Sequence, residues 1–300
     1  MQYDANGALL KTELPDVKLV NRGKVRDIYD LGESLLFVAT DRISAFDVVM
    51  PNGIPEKGKV LTRLSLFWFK LMDDVPNHLI TADTNAFPEV LKPYLKELAG
   101  RAIIVKKAKP FPVECIVRGY IVGSGWKDYQ KSGSICGIKL RPGYRQAEKL
   151  DQPFFAPSTK AEMGLHDENI TLEKTAELIG AENAWMLASL SLKVYGAAAA
   201  YAEERGIILA DTKFEFGLLN DRIILIDEVL TPDSSRFWPM EQYKVGSNPP
   251  SLDKQFVRDY LESLNWDKTP PAPELPLEIV SKTREKYLDA YKAITGEALS

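Results

Sequence analysis

The most chemically suggestive stretch of this 300-residue chain is ILADTKFEFG, residues 208–217, where Asp211, Lys213 and Glu215 fall at every second position with Phe214 and Phe216 between them. In a strand, that period sends the charges to one face and the rings to the other. RIILIDEVLTPDSSRFW, residues 222–238, comes next, so a second strand turns back near Asn220 and Asp221 and carries Asp227 and Glu228. A two-residue turn would pair Leu219 with Arg222 and set Asp227 opposite Phe214, laying a carboxylate on the aromatic face at a desolvation cost on the order of several kcal/mol. A loop longer or shorter by one residue pairs Glu215 with Asp227 instead and stacks Phe214, Phe216, Leu218, Ile224 and Ile226 on the far face. The second register is the expected one, and it gathers Asp211, Lys213, Glu215 and Asp227 on one surface. Carboxylates directly opposite one another, with Cβ atoms ~5 Å apart, repel and suit a divalent cation. With neither Cys nor His in this cluster, all-oxygen ligation favours Mg²⁺ over Zn²⁺. Mg²⁺ on one or two carboxylates takes its other ligands from water and nucleotide phosphates, which points to ATP. A strand in which Lys213 neutralises its neighbours is the simpler account of residues 208–217 alone. The partner strand, which adds Asp227 and Glu228 and leads into an anion-binding sequence, weakens that account.

TPDSSR, residues 231–236, is a hydroxyl-rich turn ending in Arg236, and by itself it reads as a capped turn. In FPVECIVRGYIVGSGWKDYQKSG, residues 111–133, Arg118 ends a strand, and Gly123, Ser124 and Gly125 open a helix whose free N–H groups and dipole favour a phosphate. The expectation is that Arg118, Ser124 and Arg236 converge on one phosphate; without Arg236, Ser124 would be an ordinary helix cap. RGKVRDIY has neither the Walker spacing nor GxGxxG and is not a P-loop. A hairpin turning Lys24 and Arg26 toward phosphates resembles the covering hairpin of kinases and ATP-grasp ligases, although a solvated basic strand face fits as well. DRISAFD, residues 41–47, mixes Arg42, Ser44 and Asp47 with Phe46 in the way of segments that line a cleft at a strand end, a simple turn being the default. His166 and Asp167 offer proton transfer, but no Ser or Cys nucleophile is placed with them, which argues against a hydrolase triad.

The elements that must position these groups alternate between the two periodicities. Residues 17–41 read as two strands joined at Leu31–Ser34 with Gly32 in the turn. A helix over residues 59–71 and a strand over 102–107 come after them. KKAKPFP, residues 106–112, reads as a domain linker, giving an N-terminal domain over 1–109 and a larger one over 110–300 that includes the C-terminal helices. Residues 151–169 read as an irregular polar loop. Helices are expected over 171–179, 184–205, 252–264 and 277–294.

A 45% hydrophobic content supports a full core, and a net charge of −4 gives no global attraction to nucleic acid or anionic membrane. The only cysteines, Cys115 and Cys136, are too few for a disulfide framework and fit a reducing compartment. The N-terminus lacks the apolar run of a signal peptide, and Lys193 interrupts the longest helical stretch, so the expectation is a cytoplasmic protein that binds neither nucleic acid nor membrane; the sequence does not settle oligomeric state, and a monomer is one possibility.

GKVRDIYD, DRISAFD, VECIVRGYIVGSGW, ILADTKFEFG and IDEVLTPDSSRFW, in that order and over most of the chain, closely resemble the SAICAR synthetase family, with length and C-terminal helices similar to its longer, fungal-like branch. The resemblance implies an α+β fold: an N-terminal antiparallel sheet domain and a larger α+β domain with an ATP-grasp or kinase-like nucleotide cleft. It implies an ATP-dependent ligase of purine biosynthesis that joins L-aspartate to the carboxylate of 5-amino-1-(5-phosphoribosyl)imidazole-4-carboxylate (CAIR), with release of ADP and phosphate. The implied cofactor set is ATP and Mg²⁺.

By residue, the resemblance assigns Lys24 and Arg26 to the ATP phosphates, Lys106, Lys107 and Ala108 to adenine, and Glu228 to the nucleotide. Glu215 and Asp227 match the magnesium ligands, and Lys213 belongs to the same catalytic surface. Arg118, Ser124, Ser235 and Arg236 match the substrate-phosphate site, Asp211 the imidazole amine, Ser44 and Asp47 the carboxylate and aspartate end, and Lys160 a loop group reaching nucleotide or substrate. Phe46 stands where shorter members often have Gly. The other readings weighed are a small-molecule kinase with the same metal-nucleotide site and a noncatalytic nucleotide-binding module; the module would not need paired carboxylates.

Overall fold

The computed structural model describes residues 1–160 and 168–299; His166 and Asp167 lie outside them. The architecture is α+β with antiparallel sheets. The chain divides into two compact units, one of Met1–Phe67, His78–Lys107 and Asp253–Ser300, the other of Trp68–Asn77 and Ala108–Leu252.

The first unit contains β1 (Lys18–Arg22), β2 (Arg26–Asp30), β3 (Ser34–Ala39), the small hairpin β4 (Arg42–Ala45) and β5 (Val48–Gly53), helix α1 (Lys57–Leu71), which begins in it, β6 (Leu79–Thr81) and β7 (Ala102–Lys106). Five of these strands form one sheet in the order β1-β2-β3-β7-β6. Residues 17–41 therefore form three strands and two turns where the sequence pattern predicts one hairpin. The Gly32 turn is present, with Gly32 at φ 85° donating its N–H to Asp30 at 2.8 Å. A second turn at residues 23–25 places Lys24 in a loop and Arg26 at the start of β2, so the two do not share a strand face. The cause is nonlocal. Arg42, only 8% exposed, donates to the carbonyls of Gly23 at 2.8 Å and Lys24 at 3.3 Å and to the buried Asp27 carboxylate at 2.9 Å.

Helices α5 (Gln255–Glu262) and α6 (Leu277–Thr295) also belong to this unit, a correction to the expected division at residue 109. Val257, Leu261, Leu275 and Val280 share a core with Ile43, Ala45, Met50 and Ile54, and Arg284 pairs with Glu56. Contacts between segments more than 200 residues apart leave no trace in local periodicity.

The second unit is built on one long strand. In chain order it holds β8 (Lys109–Pro110), β9 (Val113–Tyr120), α2 (Gly123–Ser132), β10 (Lys149–Phe155), β11 (Ser158–Thr159), α3 (Leu172–Ile179), α4 (Ala181–Glu203), β12 (Ile207–Leu219), β13 (Arg222–Ile226) and β14 (Ser235–Pro239). β12 pairs with β8, β9, β13 and β14, and β9 pairs with β10 and β11, making a seven-stranded sheet. Helix α4 is tied to β12 by the Tyr195 hydroxyl, which donates to the Leu209 carbonyl at 2.7 Å. The expected loop over 151–169 is partly strand. β10 lies at the end of the sheet, a position that tolerates Pro153, and it buries Leu150 and Phe155. Among the described residues, no helix is long and apolar enough to cross a membrane.

Candidate active site

The charged hairpin folds in the register that the desolvation argument disfavoured. Leu219 pairs with Arg222 and Glu215 with Ile226 across the two-residue turn at Asn220 (φ 49°) and Asp221 (φ 59°). Two left-handed residues make a type I′ turn, whose twist matches that of the flanking strands. The expected penalty does not arise because β13 stops at Ile226 and Asp227 adopts φ 62°. The chain leaves the ladder there, and Phe214 pairs with Cys115 of β9 on its other side. Ile224 and Ile226 consequently share a face with Gly217 and Glu215, while the fully buried Phe214 and Phe216 keep the opposite face with Leu225.

Around Glu215 and Asp227 lie two lysines. Lys160 donates to the Glu215 carboxylate at 2.6 Å, and Lys213 pairs with Glu114 of β9, a 5% exposed residue that also accepts from the Ser158 hydroxyl at 3.3 Å. Burial would push the Lys213 ammonium toward its neutral form, but the fields of Glu114, Glu215 and Asp227 outweigh it and hold the pKa above its ordinary value. Lys213 thus stays charged among three carboxylates. Glu228 accepts from Thr231 Oγ1 at 2.5 Å, fastening the start of the 231–234 turn.

Glu215 and Asp227 offer oxygen donors only, and among the described residues no cluster of three or more His, Cys, Asp or Glu forms a protein-only metal cage. That donor set fits Mg²⁺, which is commonly held by one or two carboxylates and completes its octahedron with water and phosphate oxygens.

Some residues from the charged face form a second cluster at the start of α2. Arg118 is adjacent to Asp211 in the β9–β12 ladder; its Nη1 donates to Asp211 Oδ2 at 3.4 Å and its Nη2 to Ser124 Oγ at 2.9 Å. Arg236 Nη1 donates to the same Asp211 oxygen. The structure therefore brings Arg118, Ser124, Arg236 and Asp211 together. Arg118 is 2% exposed, and its Nε has no hydrogen-bond partner. Burial lowers its pKa, Asp211 pulls it back up, and the Arg236 charge adds a smaller push downward. Two guanidiniums on one carboxylate leave net positive charge at a helix N-terminus, a combination that attracts a phosphate dianion.

Two glycines make room for these guanidiniums. Gly123 has φ 60°, and a Cβ there would come within 3.1 Å of Arg236 Cζ; one on Gly125 would lie 3.2 Å from Arg118 Nε. Ser235 is engaged elsewhere, its hydroxyl 2.7 Å from that of Thr212.

In the first unit, Lys24 pairs with Asp47 at the tip of the β4–β5 hairpin, Ser44 stands opposite Val49 in that hairpin, and Lys107 donates to Asp30 at 2.6 Å. Lys106 ends β7 and is exposed. In the second unit, Ala108 lies against Gly217.

The profile of the SAICAR synthetase family matches residues 19–273. A phosphoribosylaminoimidazole-succinocarboxamide synthase from Geobacter metallireducens is 58% identical over 290 residues, 96% of this chain and 98% of that protein. The chain belongs to the SAICAR synthetase family. Its activity is that of an ATP-dependent ligase of purine biosynthesis, a phosphoribosylaminoimidazole-succinocarboxamide synthase by class. Among solved structures, the SAICAR synthase of Saccharomyces cerevisiae complexed with SAICAR superposes with a TM-score of 0.89 at 48% identity, covering 97% of this chain and 99% of that one. A SAICAR synthetase (Type-2) in complex with ADP, 26% identical, superposes with a TM-score of 0.69, covering 95% of this chain and 100% of that one.

Sequence reasoning missed Glu114 and Arg42 as organisers of family site segments. Glu114 sits in VECIVRGY near Arg118, and its strand position opposite the charged stretch was the available signal. Arg42 lies within DRISAFD, yet its role depends on Gly23 and Lys24, which are 18 or more residues away.

Proposed function

We propose that the ligation proceeds through an acyl phosphate on CAIR, with Arg118, Ser124 and Arg236 holding the ribose phosphate and Glu215 and Asp227 holding Mg²⁺ with ATP. The carrying observation is the buried Arg118, whose unpartnered Nε lies in a cluster with Arg236 and Ser124 at the α2 N-terminus. A carboxylate does not react with an amine at neutral pH because oxide would have to leave. Transfer of the ATP γ-phosphoryl group to the CAIR carboxylate replaces that leaving group with phosphate. The aspartate nitrogen then attacks the carbonyl carbon: a C–N bond forms, the C–O bond to phosphate breaks, and the amine gives up a proton.

Bound Mg²⁺ supplies charge neutralisation at the phosphates. The chain's own residues do the rest by orientation and fixed charge. Lys213, held cationic by its three carboxylate neighbours, and Lys160 place positive charge beside Glu215. Asp211 fixes the two guanidiniums and is assigned, with Ser235 behind the phosphate site, to CAIR recognition. Family resemblance assigns Lys24 and Arg26 to the triphosphate, Lys106, Lys107, Ala108 and Glu228 to the nucleotide, and Ser44 and Asp47 to the carboxylate and aspartate end; the ADP complex of the 26% identical relative supports a nucleotide site of this kind.

No covalent enzyme intermediate is proposed. Both thiols are free, and burial raises the pKa of each, that of Cys136 to about 11, which disfavours the nucleophilic thiolate. Free thiols also support a reducing, cytoplasmic setting.

The test is amide formation from CAIR, aspartate and MgATP, with each omitted in turn. The expected result is product only when all are present and net ADP release that depends on aspartate. Sustained ADP release with a phosphorylated product and no aspartate would establish a kinase instead. A finer check is Gly123→Ala, whose methyl group would displace the Arg236 guanidinium and strain a left-handed backbone. It should raise the CAIR KM about tenfold, a loss of roughly 1.4 kcal/mol, while the KM for ATP changes little.

A further inference from the structure

The turn that carries the proposed aspartate-end residues is strained, and the C-terminal segment holds it. Ala45 pairs with Val48, leaving Phe46 and Asp47 as a two-residue loop with φ 52° and 64°. Asp tolerates the left-handed region, but a bulky side chain such as Phe is a genuine outlier there. Such conformations persist only where the surroundings over-determine them.

Here the surroundings come from residues 264–269. The Trp266 ring meets Phe46 edge-on, with centroids 6.4 Å apart and planes at 64°, and the Lys268 ammonium lies 4.2 Å from the Phe46 centroid. The clamp is itself fastened: Trp266 Nε1 donates to the Thr269 carbonyl at 2.8 Å, and Asp267 Oδ1 accepts from the Thr269 backbone at 3.0 Å and hydroxyl at 2.7 Å. Phe46, Trp266 and Leu264 together flank the core that joins Ile43, Ala45 and Met50 to Val257 and Leu261. At the tip, Asp47 forms an ion pair with Lys24.

We propose that Trp266 and Lys268 are positioning residues for the L-aspartate substrate. By gripping Phe46 they hold the β4–β5 turn in its left-handed form, and that form sets Ser44, Asp47 and, through Asp47, the Lys24 ammonium. This inference rests on the assignment of Ser44 and Asp47 to the aspartate end.

The test uses the full-length enzyme and steady-state kinetics with each substrate varied. Trp266→Ala removes an aromatic pair, exposes the cation–π contact and leaves an unsupported strained residue, and should raise the aspartate KM about tenfold, with the CAIR KM changed less than about twofold. Glycine adopts positive φ without a clamp, so Phe46→Gly introduced into the Trp266→Ala background should bring the aspartate KM most of the way back. A merely structural role for Trp266 predicts no such rescue. Equal rises in all three substrate KM values, or failure of the glycine to rescue, would overturn the clamp. Ser44→Ala is the companion variant. If it raises the aspartate KM while Trp266→Ala does not, the clamp is wrong and the aspartate assignment stands; if neither moves that KM, both are wrong.

Discussion

The Glu215→Ala, Asp227→Ala double variant should lose ATP turnover by about a thousandfold or more, the scale reached when preorganised electrostatic groups are removed from a reacting phosphoryl site. Two carboxylates, one on a strand and one just beyond the end of its neighbour, offer the oxygen donors that the proposed dication prefers. Their removal also leaves Lys160 and Lys213 with fewer counter-charges, because Lys160 donates to Glu215 and both carboxylates help keep Lys213 protonated. The isosteric pair Glu215→Gln, Asp227→Asn keeps shape and one acceptor oxygen on each side chain and should lose activity nearly as far, separating charge from packing. A binding measurement completes the case. In the parent enzyme Mg²⁺ should tighten ADP binding, and in either double variant that tightening should disappear. Persistence of turnover, or of the Mg²⁺ effect, would place the ion elsewhere.

The second large effect is expected for Arg236→Ala, which should raise the CAIR KM by about ten- to a hundredfold, corresponding to loss of charge-assisted hydrogen bonds worth roughly 1.5–3 kcal/mol. Arg236 is the better probe than Arg118 because its side chain is 21% exposed against 2%, so its truncation leaves the fold intact. Asp211 keeps its contact with Arg118 in the variant. Arg236→Lys restores the charge without the planar fork and should recover the KM only in part. An unchanged KM for CAIR in Arg236→Ala would remove this residue from the phosphate site.

Both predictions draw on residues whose chemistry is legible in the chain alone, and the reasons differ. The alternation of Asp211, Lys213 and Glu215 with Phe214 and Phe216 is a local property of an extended chain, because successive side chains must point to opposite faces. Phe214 and Phe216 are accordingly buried, while Lys213 and Glu215 remain half-buried. The start of α2 at Gly123 is equally local, since a Gly-Ser-Gly run after an apolar strand marks a chain reversal into a helix.

The strand register was not legible, because it turned on one residue's backbone. The desolvation argument was sound for a strand running through Asp227, but the left-handed conformation at that residue ends the strand one position earlier. Asp is among the residues that tolerate this conformation, but many Asp residues remain extended, and the local pattern does not say which will turn.

By itself, then, the sequence determined the two-faced strand, the oxygen-only donor set, the glycine-opened helix and, through five ordered motifs, the family. These depend on neighbours within a few residues or on chemistry intrinsic to the side chains. Tertiary structure alone decided that Arg42 pins the Lys24 turn, that Glu114 rather than Glu215 takes Lys213, and that helices α5 and α6 pack with the N-terminal hairpins. Each of those outcomes brings together partners 18 to more than 200 positions apart, and no periodicity in the chain encodes which distant partner gives the lowest free energy.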